Sequence, residues 1–236
     1  MKLQTHHFLK ETESWVFDLD NTLYPASSNL FAQVDVRMRD FIANFLDIPP
    51  DEARKMQKTY FKECGTTLRG LMTHHNIDPA SYLDYVHDID VSPVLASPLL
   101  QGALEKLTGK KYIFTNASSA HATRVLDRLG VTHCFDGIFD IKDAGYQPKP
   151  DPKIYDDFVN KFQIDATKAV MVEDLARNLE PAAKLGMNCV WVKTDVDWAS
   201  EGKGANHVHY ETDDLYLWLN DLVQVDGDVS FRESIS

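Results

Sequence analysis

Asp18 and Asp20 stand two residues apart, directly after the apolar run Trp15-Val16-Phe17. In extended backbone, side chains at i and i+2 point to one side, so two carboxylates there repel unless a cation or a proton lies between them. Such a pair suits a division of labour, with one carboxylate as nucleophile and metal ligand while its neighbour shuttles a proton. An acidic turn capping a buried strand fits the same residues, and the pair alone leaves both readings open.

Two further apolar runs end in a comparable way. Tyr112-Ile113-Phe114 stops on Thr115-Asn116, and Ala169-Val170-Met171-Val172 stops on Glu173-Asp174. These short runs, rich in β-formers, suit strands buried on both faces of a parallel sheet. Helices are expected between them: Leu99–Leu107 closed by Gly109, one capped by Ser118 or Ser119 and closed by Gly130, one opened by Asp151-Pro152, and one from Leu175 to Leu185. Further strands are expected within Phe135–Ile141 and Cys189–Val192, and a last helix over Asp213–Leu222, with a loose acidic tail after Val223. The alternation predicts an α/β fold, a Rossmann-like parallel sheet with right-handed crossovers. Ligands bind such sheets beyond the carboxyl ends of the strands, which is where the three polar strand ends would meet. Helix caps explain any one of those ends, but not acids on two strands and a hydroxyl on the third.

Residues 24–98 follow another rhythm. Leu30, Phe31, Val34, Met38, Phe41, Ile42 and Phe45 recur at spacings of three and four, and Pro49-Pro50 ends that helix. Asp51 and Glu52 suit the start of the next, with Met56, Tyr60 and Phe61 on its packing face; Gly65 interrupts, Leu68, Leu71 and Met72 resume, and Asp78-Pro79 opens another. This predicts a helical insert over 24–98 between the first and second strands, with 1–23 and 99–236 forming the α/β core.

Composition narrows the function. The 236 residues carry 24 basic and 36 acidic side chains, a formal net charge of −12. That surface repels polyanions, which argues against a nucleic-acid polymer or an anionic membrane as partner. A small anion differs, because one metal ion and one lysine reverse the potential locally. The N-terminal residues lack the apolar core of a secretory leader, so a cytoplasmic protein is expected. Cys64, Cys134 and Cys189 are too scattered for a disulfide framework or a zinc site. His6-His7, His74-His75 and His207-x-His209 lack a third ligand and are expected to be solvated or packed; Arg124 and Arg177 could face the strand ends, with solvation the favoured expectation. No glycine-rich nucleotide loop occurs. The oligomeric state is not set by these features, with a monomer the simpler expectation.

Phe17-Asp18-Leu19-Asp20-Asn21-Thr22-Leu23, Ile113-Phe114-Thr115-Asn116, Lys149 within Pro148-Lys149-Pro150, and Val172-Glu173-Asp174 resemble, in order, the four motifs of the haloacid dehalogenase superfamily. Asp20-Asn21-Thr22-Leu23-Tyr24, the segment from Tyr60 to Leu71 and Val86-His87-Asp88-Ile89-Asp90 resemble its pyrimidine 5′-nucleotidase branch. The resemblance implies an Mg²⁺-dependent phosphate monoester hydrolase acting through an aspartyl-phosphate on a small phosphorylated metabolite. It casts Asp18 as nucleophile and Asp20 as proton donor. Mg²⁺ would be held by both Asp18 and Asp174 carboxylates and by the Asp20 backbone carbonyl, with Glu173 holding metal-bound water. Thr115, the Asn116 N–H and Lys149 would bind phosphate, and Tyr60, Thr66 and Thr67 of the insert would meet the substrate. Dehalogenases of the superfamily lack the second acid, so Asp20 points to phosphate chemistry. A sugar-phosphate phosphatase or phosphomutase is the nearest rival, and a non-catalytic phosphate-binding regulator the rival of another class.

Overall fold

The computed structural model describes residues 11–194, 199, 201 and 206–233; His6-His7 and most of the N-terminal arm lie outside them. Strands β1 (Ser14–Phe17), β2 (Lys110–Phe114), β3 (Gly137–Phe139), β4 (Ala169–Glu173), β5 (Asn188–Val192) and β6 (Tyr210–Thr212) form one sheet in the order β3-β2-β1-β4-β5-β6. Every pairing is parallel, as the alternation predicts. β1 is central, with Phe17 opposite Ile113 on one side and Val172 on the other, so the polar residues following all three strands reach one rim.

Helices α1 (Leu30–Leu46), α2 (Pro50–Cys64), α3 (Thr67–His75) and α4 (Pro79–Val86) come between β1 and β2. The remaining helices are α5 (Pro98–Lys106), α6 (Ser119–Leu129), α7 (Pro152–Phe162), α8 (Leu179–Lys184) and α9 (Leu215–Glu233). Strand residues sort to the two faces with period two. Trp15, Phe17, Ile113, Val170 and Val172 join Leu100, Leu104, Val125, Leu126, Leu215 and Leu219 from α5, α6 and α9. Val16, Tyr112, Phe114 and Met171 face the other way, against Ile154, Tyr155 and Phe158 of α7 and Leu179 of α8. The first cluster runs on into the insert through Leu30, Val34, Leu68, Leu71, Tyr82 and Val86, so insert and core share buried surface.

Caps fix the helix starts. The side chains of Thr66, Asp78, Ser118 and Asp151 each accept a backbone N–H of the helix that follows. α2 and α3 meet where Gly70 lies against Tyr60; a Cβ at Gly70 would stand 2.3 Å from the Tyr60 Cγ.

The differences from expectation are local. The helix expected over 175–185 divides into a 3-10 turn, Ala176–Asn178, and α8, because Pro181 is tolerated only in a first turn. β6 was not foreseen, since three residues carry too little period to read. The tail expected to be loose after Val223 continues α9 to Glu233, propagated from a turn that Leu215, Leu219 and Leu222 anchor in the core. Among the described residues no helix is long and apolar enough to cross a membrane.

Candidate active site

Asp18 sits one residue past β1, its N–H still bonded to the Val172 carbonyl at 2.9 Å. Its carboxylate is held at both oxygens: Lys149 Nζ donates to Oδ1 at 2.8 Å and Thr22 Oγ1 donates to Oδ2 at 2.9 Å. Thr22 reaches back because Asn21 adopts a left-handed conformation, φ 62°, that folds the chain after Asp20 onto the strand end. Asn tolerates that region better than most residues.

Lys149 is 2% exposed and spends all three ammonium protons on protein oxygens, namely Asp18 Oδ1, the Phe114 carbonyl at 2.8 Å and Glu173 Oε2 at 2.7 Å. Asn116 holds the lysine's loop, its Oδ1 accepting the Lys149 N–H at 2.9 Å. The lysine therefore grips the Asp18 carboxylate directly. Glu173 has a structural part as well: its second oxygen accepts the Leu175 N–H at 3.2 Å, so it fixes Lys149 and the following loop.

Asp18, Glu173 and Asp174 each offer an oxygen within 4.8 Å of one another. Burial, then the Glu173 charge, push the Asp18 carboxyl up to about 7 against the pull of Lys149. Burial, Glu173 and Asp18 likewise raise Asp174 well above the carboxylate range. Burial would lower Lys149, but Asp18 and Glu173 outweigh it and hold the ammonium above its ordinary value. One lysine shared by two of three buried acids leaves negative charge unbalanced, and the hard oxygen donors suit a Mg²⁺ ion at Asp18 and Asp174.

Asp20 has another environment. Burial would raise it, yet His121 and Tyr24 hold its carboxyl below the usual range. Tyr24 Oη donates to Asp20 Oδ1 at 2.6 Å, and His121 Nε2 lies 3.0 Å from the same oxygen. Tyr24 closes the Asp20–Tyr24 segment that carries the branch resemblance, without a role of its own there, and His121 belongs to no motif.

A cavity of about 660 Å³ opens from this rim toward the insert. Asp18, Asp20, Thr115, Asn116 and Asp174 line its core side. The insert supplies Phe31, Val34, Met38, Phe61, Leu68, Leu83 and Val86, with Gln57, Thr66, Thr67 and His87 as polar groups and Asp35, Lys58 and Lys62 as charged ones. Thr115 Oγ1 accepts the Ala117 N–H at 3.0 Å, which turns the chain toward α6. Thr66 caps α3, and Thr67 Oγ1 donates to the Gln57 carbonyl.

Tyr60 does not join the cavity wall. Its hydroxyl pairs with His75 Nε2 at 2.6 Å and its ring stacks on His74, whereas Phe61 faces the cavity. Neighbours on a helix point about 100° apart, so one residue of an adjacent aromatic pair packs inward while the other faces elsewhere. Both arginines expected in solvent are engaged. Arg124 donates to the His87 and Ile89 carbonyls, and Arg177 lines the cavity with its guanidinium 4.7 Å from the Phe61 ring centre.

The family model for haloacid dehalogenase-like hydrolases matches residues 15–186. The chain is 27% identical to phosphate metabolism protein 8 of Saccharomyces cerevisiae over 227 residues, covering 89% of this chain and 70% of the yeast protein. In fold it is similar to a haloacid dehalogenase-type phosphatase from Thermococcus onnurineus, with TM-score 0.59, 22% identity, and 89% and 98% of the two chains covered. It is also similar to the L-2-haloacid dehalogenase of Xanthobacter autotrophicus, with TM-score 0.54, 16% identity, and 91% and 98% covered. With four motifs gathered on one rim and a family match over most of its length, the chain belongs to the haloacid dehalogenase-like hydrolases.

Proposed function

We propose that this hydrolase is an Mg²⁺-dependent phosphatase that cleaves phosphate monoesters through an aspartyl-phosphate on Asp18, with pyrimidine nucleoside 5′-monophosphates as preferred substrates. The observation that carries the reading is the pair of unlike acids at the end of β1. Asp18 is clamped by Lys149 and Thr22 beside Asp174, while Asp20 stands apart on the cavity wall with Tyr24 and His121.

The two carboxylates are held by different partners, Asp18 by an ammonium and a hydroxyl and Asp20 by a phenol and an imidazole, which suits separate roles for them. Lys149 and Thr22 fix the Asp18 carboxylate so that it attacks phosphorus from one direction, which removes the cost of orienting it. As the new O–P bond forms, the ester P–O bond breaks and its electron pair takes a proton from Asp20. Asp20 then accepts a proton from the water that hydrolyses the acyl phosphate, which regenerates Asp18. Mg²⁺ held by Asp18, Asp174 and the Asp20 carbonyl would supply Lewis-acid neutralisation of the phosphoryl charge. Thr115 and the Asn116 N–H would hold phosphate oxygens at the start of α6, where the helix dipole favours an anion.

The insert side of the cavity supports a nucleobase over a sugar. Phe31, Val34, Met38, Phe61 and Leu83 give an apolar wall, poor company for the hydroxyls of a hexose but suited to a flat ring. Gln57, Thr66 and Thr67 supply polar groups that would orient the ring, and Asp35, Lys58 and Lys62 of the insert add charged ones. Phosphate release from UMP, CMP, AMP, GMP and a hexose phosphate, with Mg²⁺ and then with chelator, tests the reading. The expected order of kcat/KM is pyrimidine over purine over sugar; a clear advantage for the hexose phosphate overturns the nucleotide assignment.

A further inference from the structure

The buried groups around Asp20 have no part in the mechanism described so far. Oδ1 of Asp20 meets two side chains, Tyr24 Oη at 2.6 Å and His121 Nε2 at 3.0 Å. Tyr24 and His121 are each 1% exposed. A carboxylate oxygen only accepts, so His121 Nε2 donates to it; His121 Nδ1 has no hydrogen-bond partner among the described residues. The imidazole is itself wedged. His87, at the end of α4, stacks on it with ring centres 4.5 Å apart and planes 17° apart, and His87 Nδ1 lies 3.0 Å from Ser118 Oγ at the cap of α6. Arg124, also on α6, holds the His87 and Ile89 carbonyls. Thus α6 carries both the imidazole and the arginine that ties down the His87 main chain.

We infer that His121 and Tyr24 are positioning residues that occupy Oδ1 of Asp20, so that Oδ2 alone carries and delivers the proton to the leaving oxygen. The inference rests on the reading of Asp20 as proton donor and adds how that donor is aimed. A free carboxyl rotates about its Cβ–Cγ bond and presents either oxygen. With two donors fixed on Oδ1 that rotation is closed off, whether Asp20 is ionised or carries its proton on Oδ2. In the transfer the Oδ2–H bond breaks as the ester oxygen leaves phosphorus with its electron pair, and Oδ1 keeps both hydrogen bonds throughout.

The readout is leaving-group discrimination in kcat/KM, which covers steps only up to departure of the alcohol. A p-nitrophenolate leaves without a proton, whereas a nucleoside 5′-oxygen needs one. For Asp20→Asn, kcat/KM on UMP should fall by about 10²–10⁴-fold and on p-nitrophenyl phosphate by far less. His121→Phe keeps the ring stacked on His87 but removes the donor, and it should show the same bias at about 10-fold, mostly in kcat, as should Tyr24→Phe. His121→Gln places an amide N–H near Nε2 and should recover most of the loss. Equal losses on both esters for His121→Phe and Tyr24→Phe, while Asp20→Asn discriminates, would overturn the positioning role and leave Asp20 as the acid. No discrimination by Asp20→Asn would overturn both.

Discussion

At the scale of single residues, the chemistry rests on which oxygen meets which donor. Asp18 is buried and held from both sides by Lys149 and Thr22. Asp18→Asn keeps that shape while removing the nucleophilic charge, so it should abolish turnover with the melting temperature changed little; substantial residual phosphate release would contradict the covalent route. Lys149→Met leaves Asp18 and Glu173 buried without their shared cation. Breaking such a pair from one side costs about 3–5 kcal/mol, which a shift in the urea midpoint would report. Asp18, Asp20, Thr115, Glu173 and Asp174 are legible in sequence because they stand at or just past the ends of apolar runs. The roles of Tyr24 and His121 are not, since His121 lies 101 positions from Asp20 and only the folding of α6 onto the rim joins them. The same limit hides the choice between Tyr60 and Phe61, as periodicity marks both as packing residues without saying which one faces the cavity.

At the scale of elements, the register of β1 between β2 and β4 does most to build the rim, and the alternation of apolar runs with capped helices makes that sheet readable in advance. The short pieces escape, since neither β6 nor the 3-10 turn before α8 carries a full period. Within the insert, α2 and α3 approach closely only because Gly70 lacks a Cβ where the Tyr60 ring passes. Gly70→Ala forces one helix to move, and an overpacked contact of this kind costs about 1–3 kcal/mol. The expected result is a lowered melting temperature together with a raised KM, because α2 and α3 carry Gln57, Phe61, Thr66 and Thr67 on the cavity wall. An unchanged KM would separate the α2–α3 contact from the shape of the cavity.

At the scale of the whole molecule, the excess of negative charge in the buried site links stability to pH and to metal. The Asp18 carboxyl has an ordinary value of 3.8 and is pushed up to about 7 in the fold without a cation, and Asp174 is raised as well. Between those two values the folded state binds more protons than the unfolded chain, so the stability contributed by these groups falls as pH rises through that window. A divalent cation that binds only the folded state offsets the loss where the acids are ionised. Added Mg²⁺ should therefore raise the melting temperature more at pH 8 than at pH 5, and equal shifts at the two pH values would argue against a metal site at Asp18 and Asp174.

The covalent step is tested most directly by rapid acid quench of the enzyme turning over ³²P-labelled UMP with Mg²⁺, followed by proteolysis and mapping of the label. The account predicts label on the peptide that contains Asp18, appearing within the first turnover and absent from Asp18→Asn. Rapid phosphate release with no label on that peptide would mean that water attacks the ester directly, and it would contradict the role assigned to Asp18.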